Sequence, residues 1–246
     1  MDGWPFGERH RAVARGGTPL LTKGITTMSR ALNPSYAMPP ATSLPADRTG
    51  WELVTDRSVL LVLNLQVHFL RVLERHGAPA GDLLSSVALL IRAARDADVP
   101  VIHVAQAQAL RGATRTPLPY GTRSGAQPGP GEWRAVAQAR PQRGDIVLRT
   151  RKHSAFARTR LDGHLYELER DQVVITGLFA RVGVLTTAAD AWTYNLEPFV
   201  VGDAVADLSD AHHMMALSWV SDTSGAVTAA ERVAAVFDGT LPPGTS

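Results

Sequence analysis

The sequence predicts an α/β fold of the three-layer, Rossmann-like α/β/α type, with one six-stranded parallel sheet between two layers of helices. Three observations predict it. Short runs rich in Leu and β-branched residues alternate with longer amphipathic segments from about Arg48 onward, the order in which a parallel sheet and its crossover helices are laid down. The runs are apolar almost without interruption, as strands covered on both faces require. A chain of 246 residues with 45% hydrophobic content can bury one sizeable core, so a single domain is expected.

Residues 1–45 carry Gly, Pro, Ser, Thr and Arg without a sustained apolar period, and are expected to be a flexible arm. Met28 is an alternative start within it. The domain is expected over 46–240, followed by a flexible tail at 241–246. Strands are predicted at SVLLVLN (58–64), VPVIHVA (99–105), DIVLR (145–149), QVVITG (172–177), PFVVGD (198–203) and GAVTA (225–229). Between them, 82–99 places Leu83, Val87, Leu90, Ile91 and Ala94 on one helical face, and 182–195 and 210–222 read as further helices. The stretch from Leu110 to Gly131 is too long for an ordinary connection and reads as a functional loop over the sheet edge. No internal repeat is evident.

Several function classes are disfavoured by composition. The net charge is +2 with 20% charged residues, so no concentrated basic stripe points to nucleic acid. The chain has no cysteine, which removes disulfides, thiolate metal sites and a cysteine nucleophile together. No apolar run approaches the roughly 20 residues of a membrane span, and no basic-then-apolar leader is present. A cytoplasmic protein with a small-molecule substrate, no cofactor and no metal is the expectation. Ligands of open parallel sheets bind beyond the carboxyl ends of the strands, where Asn64, Gln106, Thr150, Gly177 to Gly183 and Asp203 could converge.

The run SVLLVLNLQVHFL (58–70) resembles the first-strand motif LLVxDMQxxF of isochorismatase-like hydrolases, with Asn64 at the aspartate position. The stretch from Val174 to Leu217, together with HVAQ (103–106) and HSAF (153–156), extends the likeness over roughly Pro34 to Phe237. It is similar in pattern to isochorismatases of phenazine and siderophore pathways. The resemblance implies a Gly at position 183, where cysteine hydrolases of the family carry their nucleophile, and so the vinyl-ether branch. There the motif aspartate is thought to protonate the enolpyruvyl methylene carbon of isochorismate or aminodeoxyisochorismate, with a lysine assisting and water capturing the oxocarbenium ion. Asn64 has no such proton to give; it either caps the strand or binds a polar group of the ligand. Thr150 falls at the lysine position. Lys152, one of two lysines with Lys23, would share a face with Thr150 if the strand continued, or is solvated beside Arg149, Arg151 and His153.

The resemblance also implies ligand contacts. Gln106 matches a ligand-contacting glutamine, and Arg115 a carboxylate-binding arginine whose forked donors suit that group; Arg111 or Arg123 could take the role instead. Phe179 replaces a tyrosine, and Gly183 leaves room near a helix start. His68 and His153 stand where relatives have aromatic rings, offering acid–base groups or packing at the rim. His212 and His213 lack a third metal ligand. Asp203 and Asp207 read as capping groups. Three readings follow: an enzyme of specialised metabolism with altered chemistry on a carboxylated or enol-containing metabolite, a catalytically silent binding or scaffolding homologue, and a vinyl-ether hydrolase with a substitute acid. A homodimer or larger homo-oligomer is expected, with Met214, Met215 and Trp219 supplying part of the interface. A carrier protein is the further partner considered.

Overall fold

The computed structural model describes residues 35–107 and 129–241. All six expected strands form, at β1 (Ser58–Leu63), β2 (Val101–Gln106), β3 (Ile146–Thr150), β4 (Gln172–Leu178), β5 (Glu197–Ala206) and β6 (Ala226–Thr228). They make one parallel sheet in the order β3-β2-β1-β4-β5-β6. The chain moves outward from β1 through β2 to β3, then returns past β1 to β4. This reversal places the crevice of the fold at the carboxyl ends of β1 and β4.

Six α-helices cover the sheet: α1 (Val67–Arg75), α2 (Ala80–Asp96), α3 (Leu161–Glu167), α4 (Leu185–Thr193), α5 (Asp210–Thr223) and α6 (Ala230–Phe237). On one face, Leu60, Val62 and Val174 pack with α1, α2 and α6. On the other, Val59, Leu61 and Ile175 pack with α3, α4 and α5. Successive residues of β1 thus serve opposite cores, which is why its sequence is apolar throughout. The predicted stripe of α2 is buried along its full length, from Leu83 to Ala94. The helix expected at 182–195 differs: a π-helical turn at Ala180–Val184 precedes α4. The helices α1, α3 and α6 were not among the sequence expectations; they span only seven to nine residues, too short for periodicity to stand out.

The packed domain begins before the expected boundary at 46. The Tyr36 hydroxyl donates to the Asp207 carbonyl at 3.0 Å, Met38 packs on the core, and a Cβ on Gly202 would meet a Leu44 methyl at 2.5 Å. This segment packs largely in extended form, so its apolar residues lack a helical period. The rest of the expected arm, 1–34, and the tail residues 242–246 lie outside the described residues.

His213 ties this segment to α5. Its Nε2 donates to the Gly202 carbonyl at 2.9 Å, and its Nδ1 lies 3.4 Å from the Tyr36 hydroxyl. Burial drives its pKa from 6.5 down to about 4, so the native state holds it neutral while the unfolded chain protonates. The stability this contributes is present above pH 6.5 and lost as pH falls toward 4, by about 3 kcal/mol at 1.36 kcal/mol per pKa unit. Chemical denaturation between pH 7 and 4 is expected to show this loss, and His213→Gln, which keeps a donor but cannot charge, is expected to flatten it. An unchanged pH slope in the variant would remove His213 as the cause.

Candidate active site

Asn64 follows β1 directly and adopts a left-handed backbone with φ 53°, a conformation asparagine tolerates better than most residues. Its amide N–H donates to the Val104 carbonyl of β2 at 2.9 Å, holding the residue at the strand end. The side-chain Nδ2 donates to the Leu178 carbonyl at the end of β4, at 3.0 Å. Its Oδ1 is buried without a hydrogen-bond partner among the described residues. A Cβ on Gly183 would lie 3.2 Å from the Asn64 Nδ2 and 3.0 Å from the Leu178 oxygen. Asn64, Leu178 and Gly183 therefore meet at the switch point between β1 and β4.

An aromatic cluster adjoins this point. Phe69 of α1 contacts Phe179 edge-to-face at 5.8 Å and Trp133 at 6.1 Å, and His68 lies 5.7 Å from the Trp133 ring. His68 is 7% exposed, and its Nε2 is buried without a partner among the described residues. Burial lowers its pKa, with nearby Arg75 and Arg71 adding to the effect and Glu132 opposing it. The imidazole is thus held neutral at pH 7, with a donor and an acceptor nitrogen.

The opposite end of the row is built differently from the sequence expectation. β3 ends at Thr150, so Lys152 does not continue the strand. The reason lies in the Thr150 side chain, which is buried, donates to the Ala157 carbonyl and accepts from the Lys152 N–H, both at 3.0 Å. These bonds turn the chain. Lys152 and His153 are exposed. The following HSAF segment is fixed from α4: Thr187 Oγ1 donates to the Gly183 carbonyl at 2.6 Å and accepts from the Ala155 N–H at 3.0 Å. No periodicity singles out Thr187 in the sequence.

Gln106 is buried at the end of β2, paired with Thr150 in register. Its backbone is clamped by Gln66, whose Oε1 accepts from the Gln106 N–H at 2.8 Å and whose Nε2 donates to the carbonyls of Gln106 and Trp133. Sequence reading assigned Gln66 no role, although it stands inside the first-strand motif. Arg115, with the alternatives Arg111 and Arg123, lies outside the described residues.

Asp203 does not join the site. β5 runs on to Ala206, which leaves Asp203 inside the strand, and its Oδ1 accepts from the Ala230 N–H at the start of α6. Asp207 is fully buried, accepts from the N–H groups of Arg181 and Leu208, and sits 3.5 Å from the Arg181 guanidinium. Burial raises the pKa of both acids. These are the capping roles the sequence suggested. His212 Nε2 lies 3.0 Å from the Arg181 guanidinium, and no group of three or more potential metal ligands occurs among the described residues. No helix among them is long and apolar enough to cross a membrane.

Residues 58–232 match the model of the isochorismatase domain. The phenazine biosynthesis protein PhzD of Pseudomonas fluorescens is 33% identical over 198 residues, covering 80% of this chain and 95% of that protein. Enterobactin synthase component B of Escherichia coli is 30% identical over 199 residues, or 81% of this chain and 70% of the relative. Among solved structures, an isochorismatase family protein from Burkholderia thailandensis superposes with a TM-score of 0.63 at 27% identity, covering 76% and 98% of the two chains. A cysteine hydrolase from Pseudomonas syringae reaches a TM-score of 0.67 at 20% identity over 81% of this chain and all of that one, and supports the fold. The first-strand motif, the sheet order and these matches agree: the chain belongs to the isochorismatase family.

Proposed function

We propose that this protein is an enzyme of specialised metabolism that binds a small carboxylated or enol-containing metabolite and acts on it by chemistry other than vinyl-ether hydrolysis. The observation that carries the reading is the state of Asn64. One of its two side-chain N–H groups donates to the Leu178 carbonyl, and its acceptor, Oδ1, is buried without a partner among the described residues. An unmet buried acceptor costs about 1–3 kcal/mol, a cost that a hydroxyl or amine of a bound molecule would relieve. Asn64 then orients a substrate and delivers no proton. His68, neutral and with a buried unpaired nitrogen, is the acid–base group we assign beside it. Gln106, Phe179, Gly183 and Arg115 are assigned to substrate binding.

Asp203 and Asp207 are committed to backbone N–H groups, which argues against either as a substitute acid. Incubation of the wild-type protein with isochorismate and aminodeoxyisochorismate is expected to release no pyruvate above the uncatalysed rate. Release at ordinary enzyme rates would overturn the altered-chemistry reading.

The exposure of Lys152 and His153 favours a second reading, a catalytically silent homologue that binds a metabolite or a carrier protein. Turnover of any candidate metabolite, lost in His68→Phe, would exclude it. We also propose a homo-oligomer, supported by Met215 and Trp219, which are 46% and 38% exposed on α5. Light scattering at micromolar concentration is expected to give at least twice the 26.4 kDa chain mass; a monomer would remove the proposal.

A further inference from the structure

We infer a second ligand site, a cationic cavity beside the β2–β3 edge that takes a small arene carboxylate. The cavity measures about 550 Å³ and is bounded by His103, Trp133, Arg134, Arg140 and Arg149. Its volume lies within the range of small-molecule sites, roughly 300–1,000 Å³. Three exposed guanidinium-bearing residues line it, and among the described residues no carboxylate does. None of the ion pairs among the described residues involves Arg134, Arg140 or Arg149.

Asp145, the acid paired with the lining residue His103, is already engaged. Asp145 is 3.0 Å from His103 Nε2 and 2.5 Å from the Arg95 guanidinium, and it also accepts from the Gln142 N–H. It fixes the His103 ring and leaves the three arginines without an ion pair among the described residues. Apart from Gln66, the rest of the wall is largely apolar, with Val62, Leu65 and Val147 beside the Trp133 indole. Val147 is 48% exposed, an unusual state for a sheet residue of this size and one a flat apolar ligand would relieve. Guanidinium forks at the rim over an apolar, aromatic floor fit a planar ring bearing a carboxylate.

Asn64, Leu178 and Gly183 do not line this cavity, which shares Trp133 and Gln66 with the surroundings of the crevice, and its test does not depend on the chemistry proposed there. Isothermal titration of the full chain with benzoate is expected to give a dissociation constant of roughly a millimolar or below. Benzamide, of the same shape but uncharged, is expected to bind at least about tenfold more weakly. The double variant Arg134→Gln/Arg149→Gln is expected to weaken benzoate by at least about tenfold with an unchanged melting temperature, whereas Asn64→Asp leaves it unaltered. Equal binding of benzoate and benzamide, or full benzoate affinity in the arginine variant, would overturn the site. Inorganic phosphate binding as tightly as benzoate would overturn the arene part of the assignment, and loss of benzoate binding in Asn64→Asp would place the ligand in the crevice instead.

Discussion

Asn64→Asp is expected to raise pyruvate release from isochorismate or aminodeoxyisochorismate from background by about a hundredfold, the lower end of what a positioned general acid supplies. The argument starts at the Leu178 carbonyl, 3.0 Å from the Asn64 Nδ2. An ionised carboxylate in that place would set a charged oxygen against a carbonyl oxygen with no donor between them. A protonated carboxyl would re-form the bond. The local geometry therefore favours the neutral acid, and the pKa of an aspartate here is expected above its ordinary value near 3.9, as burial alone would also push it. Such a group carries a proton at neutral pH and can give it to carbon. The rate should fall as pH rises through that raised pKa, because the acid must be protonated to act. Thr150 sets the ceiling: its hydroxyl closes the turn to Ala157 and Lys152, and no amine stands in its place. Coupled measurement of pyruvate across pH 5–8, about the range in which such an acid titrates, checks both the gain and its slope. If Asn64→Asp performs no better than Asn64→Ala while both remain folded, the crevice is not one built for an enolpyruvyl ether.

What the sequence made legible follows from the kind of signal each feature leaves. The strands were legible because a parallel sheet covered on both faces writes a continuous apolar run, and Val59 to Leu63 serve two cores in alternation. The convergence of Asn64 and Gly183 was legible because both fall just beyond the carboxyl ends of predicted parallel strands, where such sheets bind ligands. The polar joinery was not legible. Thr187 bridges Gly183 and Ala155 through one hydroxyl, and Gln66 holds Gln106 and Trp133 through one amide; the contacts to Ala155, Gln106 and Trp133 span 32 to 67 residues and leave no local pattern. The same holds for Lys152. Its spacing from Thr150 suggested a shared face, but that inference needed β3 to continue, and the two hydrogen bonds of the Thr150 hydroxyl end it. Asp203 was misplaced for the converse reason, because β5 is longer than its apolar core suggests.

Gly177→Ala is expected to be the most destabilising small substitution in the crevice, costing several kcal/mol and lowering the melting temperature by about 10 °C or more. Gly177 lies in β4 opposite Leu63 and has φ 106°, a backbone conformation that L side chains rarely adopt. A Cβ there would fall 2.1 Å from the Leu63 carbonyl oxygen and 2.8 Å from its nitrogen. Both contacts are backbone, so no side-chain rotation can relieve them; β1 and β4 would have to part where their pairing carries Asn64 and Leu178. Against a total stability of about 5–15 kcal/mol this is a large fraction. Gly183→Ala provides the contrast. Its φ is not positive, and its Cβ would sit 3.0 Å from the Leu178 oxygen and 3.2 Å from the Asn64 amide, contacts that small shifts can absorb. The Gly183 variant should therefore keep most of its stability while crowding the Asn64–Leu178 bond, and the Gly177 variant should lose stability through the strand pair itself. Thermal denaturation of the two side by side separates them, and a Gly177→Ala protein melting within about 2 °C of wild type, less than 1 kcal/mol for a domain of this size, would mean that β1 and β4 are not held in this register.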